Sequence, residues 1–470
     1  MKAAIFLTLG LLSVACRERT PSNVKEMSAA DQEALTTLFS QHCIGCHGNY
    51  ADGAGRVSLA KIAGNIINIK RKVADSLMPP SGMPSDKRQK MLGFLAEIET
   101  NPPGPLPLSK IKLPPGFKIE VWAEVPSPRS LTLGMRGEDD GWVFSGMGGF
   151  SSPGSSAFSM YFTDKGAKRP DPNPVTIFVN RENPNGIAVD KETGTLYLAE
   201  RHQIVSRPDF LRQGNVANEV KITSDFPEQD NHFWKYLTVG PDRKLYVSVG
   251  APCNVCDPDS SASTRGKFAR IFRVDLDGRN KTEVAKGVRN SIGFDFHPVT
   301  GEMWFTDNGR DRLGDDTPRD ELNRLTHVGE HFGFPYCHEN GIVDPDFGNA
   351  AGCSSSQFTK PAIPLGPHVA ALGMRFYTGE QFPEEYRNQI FIAEHGSWNR
   401  SHRSGYRVSL VRLDATGKKA LSYEPFAEGW LDDDDTYWGR PVDVLVLPDG
   451  SLLVSDDYAN VIYRIYYTGT

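Results

Sequence analysis

The chain contains 470 residues, of which 39% are hydrophobic and 23% are charged, a composition typical of a globular protein with roughly two or three domains. Its 52 lysine and arginine residues against 58 aspartate and glutamate residues give a net charge of −6. Because the chain has no basic excess, and no basic stretch interleaved with aromatic residues, no nucleic-acid partner is expected.

Residues 1–16 resemble the signal of a bacterial lipoprotein. The segment begins Met1-Lys2, continues as an apolar run and ends Ser13-Val14-Ala15-Cys16. The run is too short to span a membrane, and small residues precede the cysteine as they do at a signal cleavage site. We therefore expect an exported protein on the periplasmic side, anchored to the membrane by a lipid on Cys16. The alternative is an ordinary signal peptide with an incidental cysteine. Residues 17–27 are a linker.

Residues 28–102 are predicted to form a small all-α cytochrome c domain. The run Cys43-Ile44-Gly45-Cys46-His47 is the attachment pattern of c-type haem. Two thiols one helical turn apart can bond both vinyl groups, and the adjacent histidine can bind the iron. Met78 lies in a Met-Pro loop before a predicted amphipathic helix and is the predicted second axial ligand; Met83 is its rival, and Met91 is predicted to pack. Such a domain carries electrons.

Residues 103–107 are a proline-rich linker, and residues 108–470 repeat one pattern six times. In each repeat, a turn rich in glycine, aspartate or proline separates two short apolar strands, and no long helical pattern interrupts the series. Repeated antiparallel hairpins at this spacing indicate the blades of a propeller. The fold class predicted for the whole chain is therefore a small all-α cytochrome c domain followed by an all-β six-bladed propeller.

Polar residues are concentrated where the first strand of each predicted blade starts and the second ends, positions that share one end of an antiparallel hairpin. Those before first strands are Arg129, Asn185, His232, Arg289, Asn290, His368 and Arg440. Those after second strands are Glu200, Arg201, His202, Ala251, Pro252, Asp307, Asn308, Gly309, Glu394, His395, Gly396, Asp456 and Asp457. Aspartate and asparagine can cap strand ends here. Together, however, these residues predict a pocket for a polyanionic ligand beside an imidazole.

Seven segments of the propeller resemble, in order, those of the glucose/sorbosone dehydrogenases, which are PQQ-dependent propellers. These segments are residues 231–246, 287–294, 306–311, 320–323, 333–338, 393–400 and 439–443. The likeness covers about residues 108–470 and is greatest for the sorbosone-type branch.

The resemblance implies catalytic roles for two residues. His232 matches the general base that acts on the sugar hydroxyl. Arg289 matches the arginine that stabilises negative charge on the quinone, and Asn290 is its expected neighbour. Gly309 and Arg310 match the residues whose backbone carbonyls hold a catalytic Ca²⁺ against the quinone carbonyl that receives hydride.

Further cofactor contacts are inferred mainly from position at the predicted pocket. Arg129, His395, Arg400 and Arg440 are the candidate contacts to the PQQ carboxylates. Asp320 and Glu321 are either calcium ligands or ordinary turn caps.

The sequence departs from the soluble glucose enzymes of the family at two positions. The aspartate that supports the base there falls at Ala251, and the lysine that binds PQQ there falls near Thr378. Glucose is therefore a poor guess for the substrate, and the departures keep open a catalytically silent propeller.

Together these features predict a quinohaemoprotein dehydrogenase that oxidises a sugar-type hydroxyl or hemiacetal. Electrons would pass from PQQ through the haem to a soluble cytochrome or a respiratory-chain acceptor. The first alternative is a haem electron-transfer protein whose silent propeller binds carbohydrate or docks a partner. The second is a hydrolytic propeller of the lactonase type, which the haem disfavours because hydrolysis needs no electron outlet.

The seven cysteines divide between the predicted parts of the chain. Cys16 is assigned to the lipid and the haem motif takes two, which leaves Cys253, Cys256, Cys337 and Cys353. Four cysteines allow three pairings. The sequence proximity of Cys253 to Cys256, and of Cys337 to Cys353, favours two local disulfides in an oxidising compartment; a redox-active Cys253-x-x-Cys256 pair is the alternative.

Overall fold

The computed structural model describes residues 106–469, except 149–154, 171–173, 215–217, 229–230, 349 and 355. The predicted signal segment, the cytochrome c domain and both linkers up to residue 105 lie outside the described residues. The haem candidates Cys43, Cys46, His47 and Met78 therefore lie outside them as well. The chain divides into two units, and the unit formed by residues 108–148 and 152–470 is a β-propeller.

Within the described residues, the strands form six blades and one separate hairpin. The first strand, β1 (Phe117–Glu124), belongs to the last blade. Blade 1 consists of β2 (Pro128–Met135), β3 (Gly141–Met147), β4 (Ser155–Phe162) and β5 (Val175–Arg181). Blade 2 consists of β6 (Gly186–Asp190), β7 (Thr195–Ala199), β8 (Ile204–Arg207) and β9 (Val220–Thr223). A short helix, α1 (Phe210–Gln213), lies between its last two strands.

The segment of the chain that forms blade 4 also adds one short strand to the sheet of blade 3. Blade 3 consists of β10 (Leu237–Val239), β11 (Lys244–Val249), β12 (Arg270–Asp275) and β13 (Thr282–Lys286). Blade 4 consists of β14 (Phe294–Phe296), β15 (Met303–Asp307), β16 (Arg319–Arg324) and β20 (Ile363–Pro367). Between the last two of these strands the chain returns to blade 3 as β17 (Glu330–His331), which pairs in parallel with β13.

The excursion from blade 4 also contains a hairpin, β18 (Cys337–His338) and β19 (Ile342–Val343), and a helix, α2 (Ala350–Ser354). A disulfide between Cys337 and Cys353 closes it, and a second disulfide joins Cys253 to Cys256. The predicted local pairing of the four propeller cysteines is thereby confirmed.

Blades 5 and 6 complete the ring. Blade 5 consists of β21 (Ala371–Phe376), β22 (Ile390–Glu394), β23 (Arg407–Leu413) and β24 (Ala420–Glu428). Blade 6 consists of β25 (Pro441–Val446), β26 (Leu452–Asp456), β27 (Val461–Tyr467) and the N-terminal β1. The antiparallel pairing of β1 with β27, from Phe117 opposite Tyr467 to Glu124 opposite Val461, closes the propeller. Closure removes the exposed strand edges that an open array would leave.

The core of the propeller lies between blades. Every residue of β6, β7, β15, β22 and β26 is buried, because these inner strands are covered on both faces by neighbouring blades. This explains why the sequence shows continuous apolar runs there rather than strict alternation. The six predicted strand pairs are the two innermost strands of each blade, so the prediction of a six-bladed propeller is confirmed. In the described part of the chain, no helix is both long and apolar enough to cross a membrane.

Candidate functional site

A ring of hydrogen bonds joins all six blades at the end of the propeller where the inner strands start and finish. Each bond links one blade to the next around the central channel. They run from Arg129 Nε to Asn185 Oδ1, Asn185 Nδ2 to the Lys235 carbonyl, Ala251 N–H to the Arg289 carbonyl, Asn308 Nδ2 to the Ala371 carbonyl, Arg440 Nε to the His395 carbonyl, and Arg129 Nη1 to Asp457. The structure thereby places eight of the predicted pocket residues around one channel entrance.

His232 is oriented by a backbone carbonyl. Its Nδ1 lies 2.8 Å from the Ala251 oxygen. Because a carbonyl only accepts hydrogen bonds, Nδ1 carries the proton and Nε2 is the basic nitrogen. A Cβ on Gly250 would lie 2.5 Å from the His232 Cβ, so this approach requires glycine at the end of β11. Burial and then the charge of Arg289 lower the pKa of His232 to about 3. The imidazole is therefore neutral at physiological pH.

The guanidinium of Arg289 is buried and held on several sides. Its Nε and Nη2 donate to the carbonyl and side-chain oxygens of Asn254, each at 2.8 Å. Nη1 donates to the Asn308 carbonyl at 3.2 Å, and Nη2 also lies 3.2 Å from Asp311. Asp311 keeps a counter-charge beside the buried cation. These contacts fix the plane of the guanidinium.

Carboxylates at the ends of second strands cap the starts of first strands. In blade 4, Asp307 accepts the backbone N–H groups of Arg289 and Asn290 at 2.8 and 2.6 Å. In blade 6, Asp456 accepts the N–H of Arg440 at 2.9 Å. For these aspartates the strand-cap interpretation is correct, and each cap places a candidate site residue. The Asn290 Oδ1 is buried and has no hydrogen-bond partner in the described part of the chain.

Gly309 and Arg310 present two consecutive backbone carbonyls that accept no hydrogen bond from any described residue. The segment is fixed from both sides: Gly309 N–H donates to Asp320 at 3.0 Å, and Arg310 Nη1 donates to the buried Asp344 at 2.6 Å. Unpaired carbonyls in a partly buried segment are suitable calcium ligands, since Ca²⁺ prefers oxygen donors. Among the described residues, no group of three or more metal-ligating side chains is present.

Asp320 and Glu321 cap backbone groups. The second oxygen of Asp320 accepts the Ala371 N–H at 3.0 Å, and Glu321 accepts the Glu339 N–H at 2.7 Å. Burial raises the pKa of Asp320 to about 6 and that of Glu321 to about 8. Of the two interpretations left open by the sequence, the turn cap describes the contacts that both residues make.

Three of the four residues predicted to contact carboxylates of a cofactor converge on Asp457. Its carboxylate lies 2.7 Å from Arg129 Nη1 and 2.8 Å from His395 Nε2. Burial by itself favours the neutral acid, but His395, Arg129 and Arg440 hold the pKa of Asp457 well below its usual range. Arg129 also stacks on Trp234, with its guanidinium carbon 4.5 Å from the ring centre. Arg129 and Arg440 thereby place two guanidinium groups at this end of the channel, close to the carboxylates of Asp457 and Asp456.

Arg400 lies in a different group. Its guanidinium donates to the Asp315 carbonyl at 3.1 Å and to Asp316 at 2.9 Å. It lines a groove of about 510 Å³ between the loop after β15 and the loop after β22, which we name the Trp398 groove. The groove residues are Arg312, Gly314, Asp315, Trp398, Asn399, Arg400 and Ser401. The Trp398 side chain is 61% exposed, which is unusual for so large an apolar residue.

The two departures from the family pattern have different structural outcomes. At Ala251 the backbone carbonyl contacts His232, so the imidazole has an orienting partner despite the absence of an aspartate side chain. Thr378 lies beyond the last residue of β21, at the end of the blade opposite His395, and is exposed. Thr378 therefore does not take the place of a cofactor-binding lysine; the cationic side chains beside Asp457 are Arg129 and Arg440.

Sequence reasoning missed Asn254 and Trp234. Asn254 lies inside the Cys253-x-x-Cys256 motif, which was noted only for its cysteines. Trp234 follows His232 by two positions, but nothing in its spacing predicts that it stacks on an arginine from blade 1. Both contacts depend on neighbouring blades, so a local pattern does not show them.

Comparison with known proteins identifies relatives of this chain. A family model described as Glucose / Sorbosone dehydrogenase matches residues 203–399, and one described as TrAA12-like matches residues 342–468. An uncharacterized protein of Borreliella burgdorferi is 37% identical over 372 residues, which are 76% of this chain and 91% of that relative. A pyrroloquinoline quinone-dependent sugar dehydrogenase of Hypocrea jecorina is 22% identical over 47% of this chain and 60% of its own length. A pyrroloquinoline quinone-dependent pyranose dehydrogenase of Coprinopsis cinerea is 22% identical over 62% of this chain and 39% of its own length.

Solved structures show the same fold. The calcium structure of a Trichoderma reesei enzyme of carbohydrate-active family AA12 has a TM-score of 0.64 and 19% identity, covering 76% of this chain and 97% of that one. The holo form of the PQQ domain of pyranose dehydrogenase from Coprinopsis cinerea has a TM-score of 0.63 and 18% identity over the same shares.

The fold and the site define a six-bladed propeller with a neutral imidazole, buried arginines and unpaired carbonyls at one end of its channel. The chain belongs to the glucose/sorbosone dehydrogenase family, whose characterised relatives include dehydrogenases of sugars.

Proposed function

We propose that the protein is a quinohaemoprotein dehydrogenase that oxidises a hydroxyl or hemiacetal of an aldose, pyranose or osone. The observation that carries the proposal is the pairing of a neutral His232, oriented by Ala251, with a fixed cation, Arg289, at the channel entrance. A base beside a cation is the arrangement needed to remove a hydroxyl proton while negative charge develops nearby.

The cluster around Asp457 fits PQQ, the cofactor named for two of the relatives. PQQ carries three carboxylates, and Arg129, Arg440 and His395 offer cationic and hydrogen-bonding groups close together. The buried, unpartnered Asn290 Oδ1 is an acceptor for an O–H or N–H group of a ligand beside Arg289. When bound, PQQ supplies a quinone that accepts two electrons and Ca²⁺ supplies a Lewis acid that polarises it.

We propose that the carbonyls of Gly309 and Arg310 hold the calcium ion. Asp320 fixes the first of these residues through its N–H group, and Asp344 fixes the second through its side chain. Burial, and to a smaller extent the charge of Asp320, raises the pKa of Asp307 to about 7. A divalent cation bound at these carbonyls would favour the charged form of both carboxylates.

His232 acts as the general base. Its Nε2 accepts the proton of the hydroxyl group on the carbon that is oxidised, while the Ala251 carbonyl stabilises the imidazolium through Nδ1–H. Arg289 compensates negative charge on the electron-accepting side of the site. Its contacts with Asn254 keep the guanidinium from turning toward His232.

The Trp398 groove is the proposed entrance for the sugar. It is formed by residues of the loops that follow β15 and β22, the loops that also carry Arg310 and His395. An exposed indole face packs against the C–H groups of a pyranose ring, while Asp315 and Asn399 offer polar atoms for hydroxyl groups.

The predicted c-type haem at Cys43, Cys46 and His47, with Met78 as second ligand, is the proposed one-electron outlet. A soluble cytochrome or a respiratory-chain component would take the electrons further. The lipoprotein-type signal supports export to the periplasmic side and anchoring through Cys16.

The proposal is tested with the full-length haem-loaded protein. We expect aldoses, osones or pyranoses to reduce the haem, recorded by its visible spectrum, only when PQQ and Ca²⁺ are both present. His232→Ala is expected to abolish this reduction without changing haem content. His327→Ala is the matched control, because that histidine side chain is 74% exposed. If PQQ does not bind at micromolar concentration, the enzyme proposal fails and the silent-propeller alternative replaces it.

A further inference from the structure

Asn254 contacts both halves of the proposed redox site. Its carbonyl and Oδ1 accept hydrogen bonds from Arg289, each at 2.8 Å. The same Oδ1 accepts the backbone N–H of Asp311 at 2.9 Å, and Nδ2 donates to the Asp311 carbonyl at 3.1 Å. Asp311 directly follows the segment that presents the two unpaired carbonyls. One side chain therefore sets the position of the guanidinium relative to the proposed calcium ligands.

These contacts require an asparagine. A carboxamide offers an oxygen with two lone pairs and an N–H donor, and Asn254 uses both sides. An aspartate at this position would lose the donor and would add a negative charge beside Asp311. Alanine would leave the N–H and the carbonyl of Asp311 without their Asn254 partners, and Arg289 Nη2 would keep only its contact with Asp311.

The loop that carries Asn254 is closed by the Cys253–Cys256 disulfide. Cys253 and Val255 pack against a small apolar cluster of Ala251, Ala269 and Phe334. The residue that begins this segment, Ala251, is the one whose carbonyl orients His232. A single braced segment thus holds the proposed base and the proposed charge-stabilising arginine, and it also reaches the loop of the proposed calcium ligands.

We propose that Asn254 is a positioning residue of the redox site, held in place by the Cys253–Cys256 disulfide. The inference rests on the proposed function, because it concerns the distance between Arg289 and the Gly309–Arg310 carbonyls. Reacting groups have to be held to within a fraction of an ångström, and the supporting residues determine whether they are.

The kinetic experiment compares wild type with Asn254→Ala and Asn254→Asp in the full-length protein reconstituted with PQQ and Ca²⁺. A misplacement of about 1 Å costs on the order of 100-fold in rate, so we expect Asn254→Ala to lower kcat by about 10- to 100-fold. The KM for the sugar should change little, because Asn254 does not line the Trp398 groove. The Cys253→Ser/Cys256→Ser variant should change kcat in the same direction but less.

A matched control is Gln381→Ala. Gln381 also bridges two segments, accepting from the Tyr467 N–H at 2.9 Å and donating to the Asp449 carbonyl at 3.3 Å, but it lies at the opposite end of the propeller. Its removal should leave kcat and KM unchanged. An equal loss of kcat in this control would overturn the positioning role of Asn254, because it would reflect general destabilisation.

A second measurement does not need cofactor or turnover. Hydrogen exchange of peptides covering residues 308–316, in protein without added PQQ, should be faster in Asn254→Ala than in wild type, since the Asp311 N–H loses its acceptor. Faster exchange in Asn254→Ala than in wild type, in a protein that fails to bind PQQ, would support the positioning contact while the proposed function falls. Unchanged exchange and unchanged kcat in an active enzyme would overturn the inference itself.

Discussion

The imidazole Nε2 of His395 and a carboxylate oxygen of Asp457 lie 2.8 Å apart, and the other oxygen of Asp457 lies 2.7 Å from Arg129. The carboxylate of Asp457, from blade 6, thus joins His395 of blade 5 to Arg129 of blade 1. Without that carboxylate, Arg129 and Arg440 would repel each other in a buried place. The negative charge of Asp457 therefore stabilises the two buried guanidinium groups of Arg129 and Arg440 close to each other.

The first prediction concerns Asp457→Asn. Removing one partner of a buried ion pair costs roughly 3–5 kcal/mol, so we expect lower thermal stability than wild type. Added PQQ should raise Tm more in the variant than in wild type, because its carboxylates replace the missing charge. The control is Asp316→Asn, whose carboxylate pairs with Arg400 but is 79% exposed; it should cost less than about 1 kcal/mol. An equal Tm gain in Asp457→Asn and wild type would contradict a carboxylate ligand at this cluster.

The second prediction concerns pH. Because the pKa of His232 is lowered to about 3, the imidazole stays unprotonated far below the usual value of 6.5. We therefore expect kcat/KM for haem reduction to be flat between pH 5 and pH 8 as far as His232 is concerned. His232→Gln should lower kcat/KM by about 100-fold or more across this range. A wild-type acid limb centred near pH 6.5, absent from the residual activity of His232→Gln, would refute the environment described for this base.

The third prediction concerns Lys235, which is fully buried and whose Nζ has no hydrogen-bond partner among the described residues. Burial and the charge of Arg201 lower its pKa from 10.5 to about 7. The unfolded chain therefore binds more protons between about pH 7 and pH 10.5, and wild-type stability should rise with pH across that window by up to about 1.4 kcal/mol per unit from this group.

Lys235→Met removes the buried amine and keeps a flexible apolar chain of similar length. The variant should be more stable than wild type at pH 7, and the difference should shrink as pH approaches 10, measured by denaturant unfolding at each pH. Comparing the two proteins at the same pH cancels the titration of all other groups. A Lys235→Met variant that is less stable than wild type at pH 7 would show that the amine has a stabilising partner.

The fourth prediction concerns Trp398→Ala. If the indole face holds the sugar ring, removing it should raise the KM about tenfold or less, a loss of roughly 0.5–1.5 kcal/mol, with kcat nearly unchanged. Val299→Ala is the control for removal of an exposed apolar side chain, since Val299 is 77% exposed and lies at a turn in blade 4. An unchanged KM for every oxidised sugar would exclude the Trp398 groove as the substrate entrance.

The sequence by itself determined the architecture of the propeller. Six pairs of apolar strands separated by turns are local patterns, and each pair became the inner hairpin of one blade. The four propeller cysteines also paired as their proximity in sequence suggested. The positions just before and after the inner strands were assigned to one end of the fold because antiparallel geometry dictates it.

Only the tertiary structure decided which of those polar residues form hydrogen bonds or ion pairs with one another. Asp307 and Asp320 accept hydrogen bonds from backbone N–H groups. Asp457 contacts both Arg129 and His395, which are far apart in the sequence. The carbonyl of Ala251 supplied the contact to His232 that no side chain at that position offers. Such contacts are set by the closure of β1 onto β27 and by the packing of blade on blade, which bring together groups that no local pattern relates.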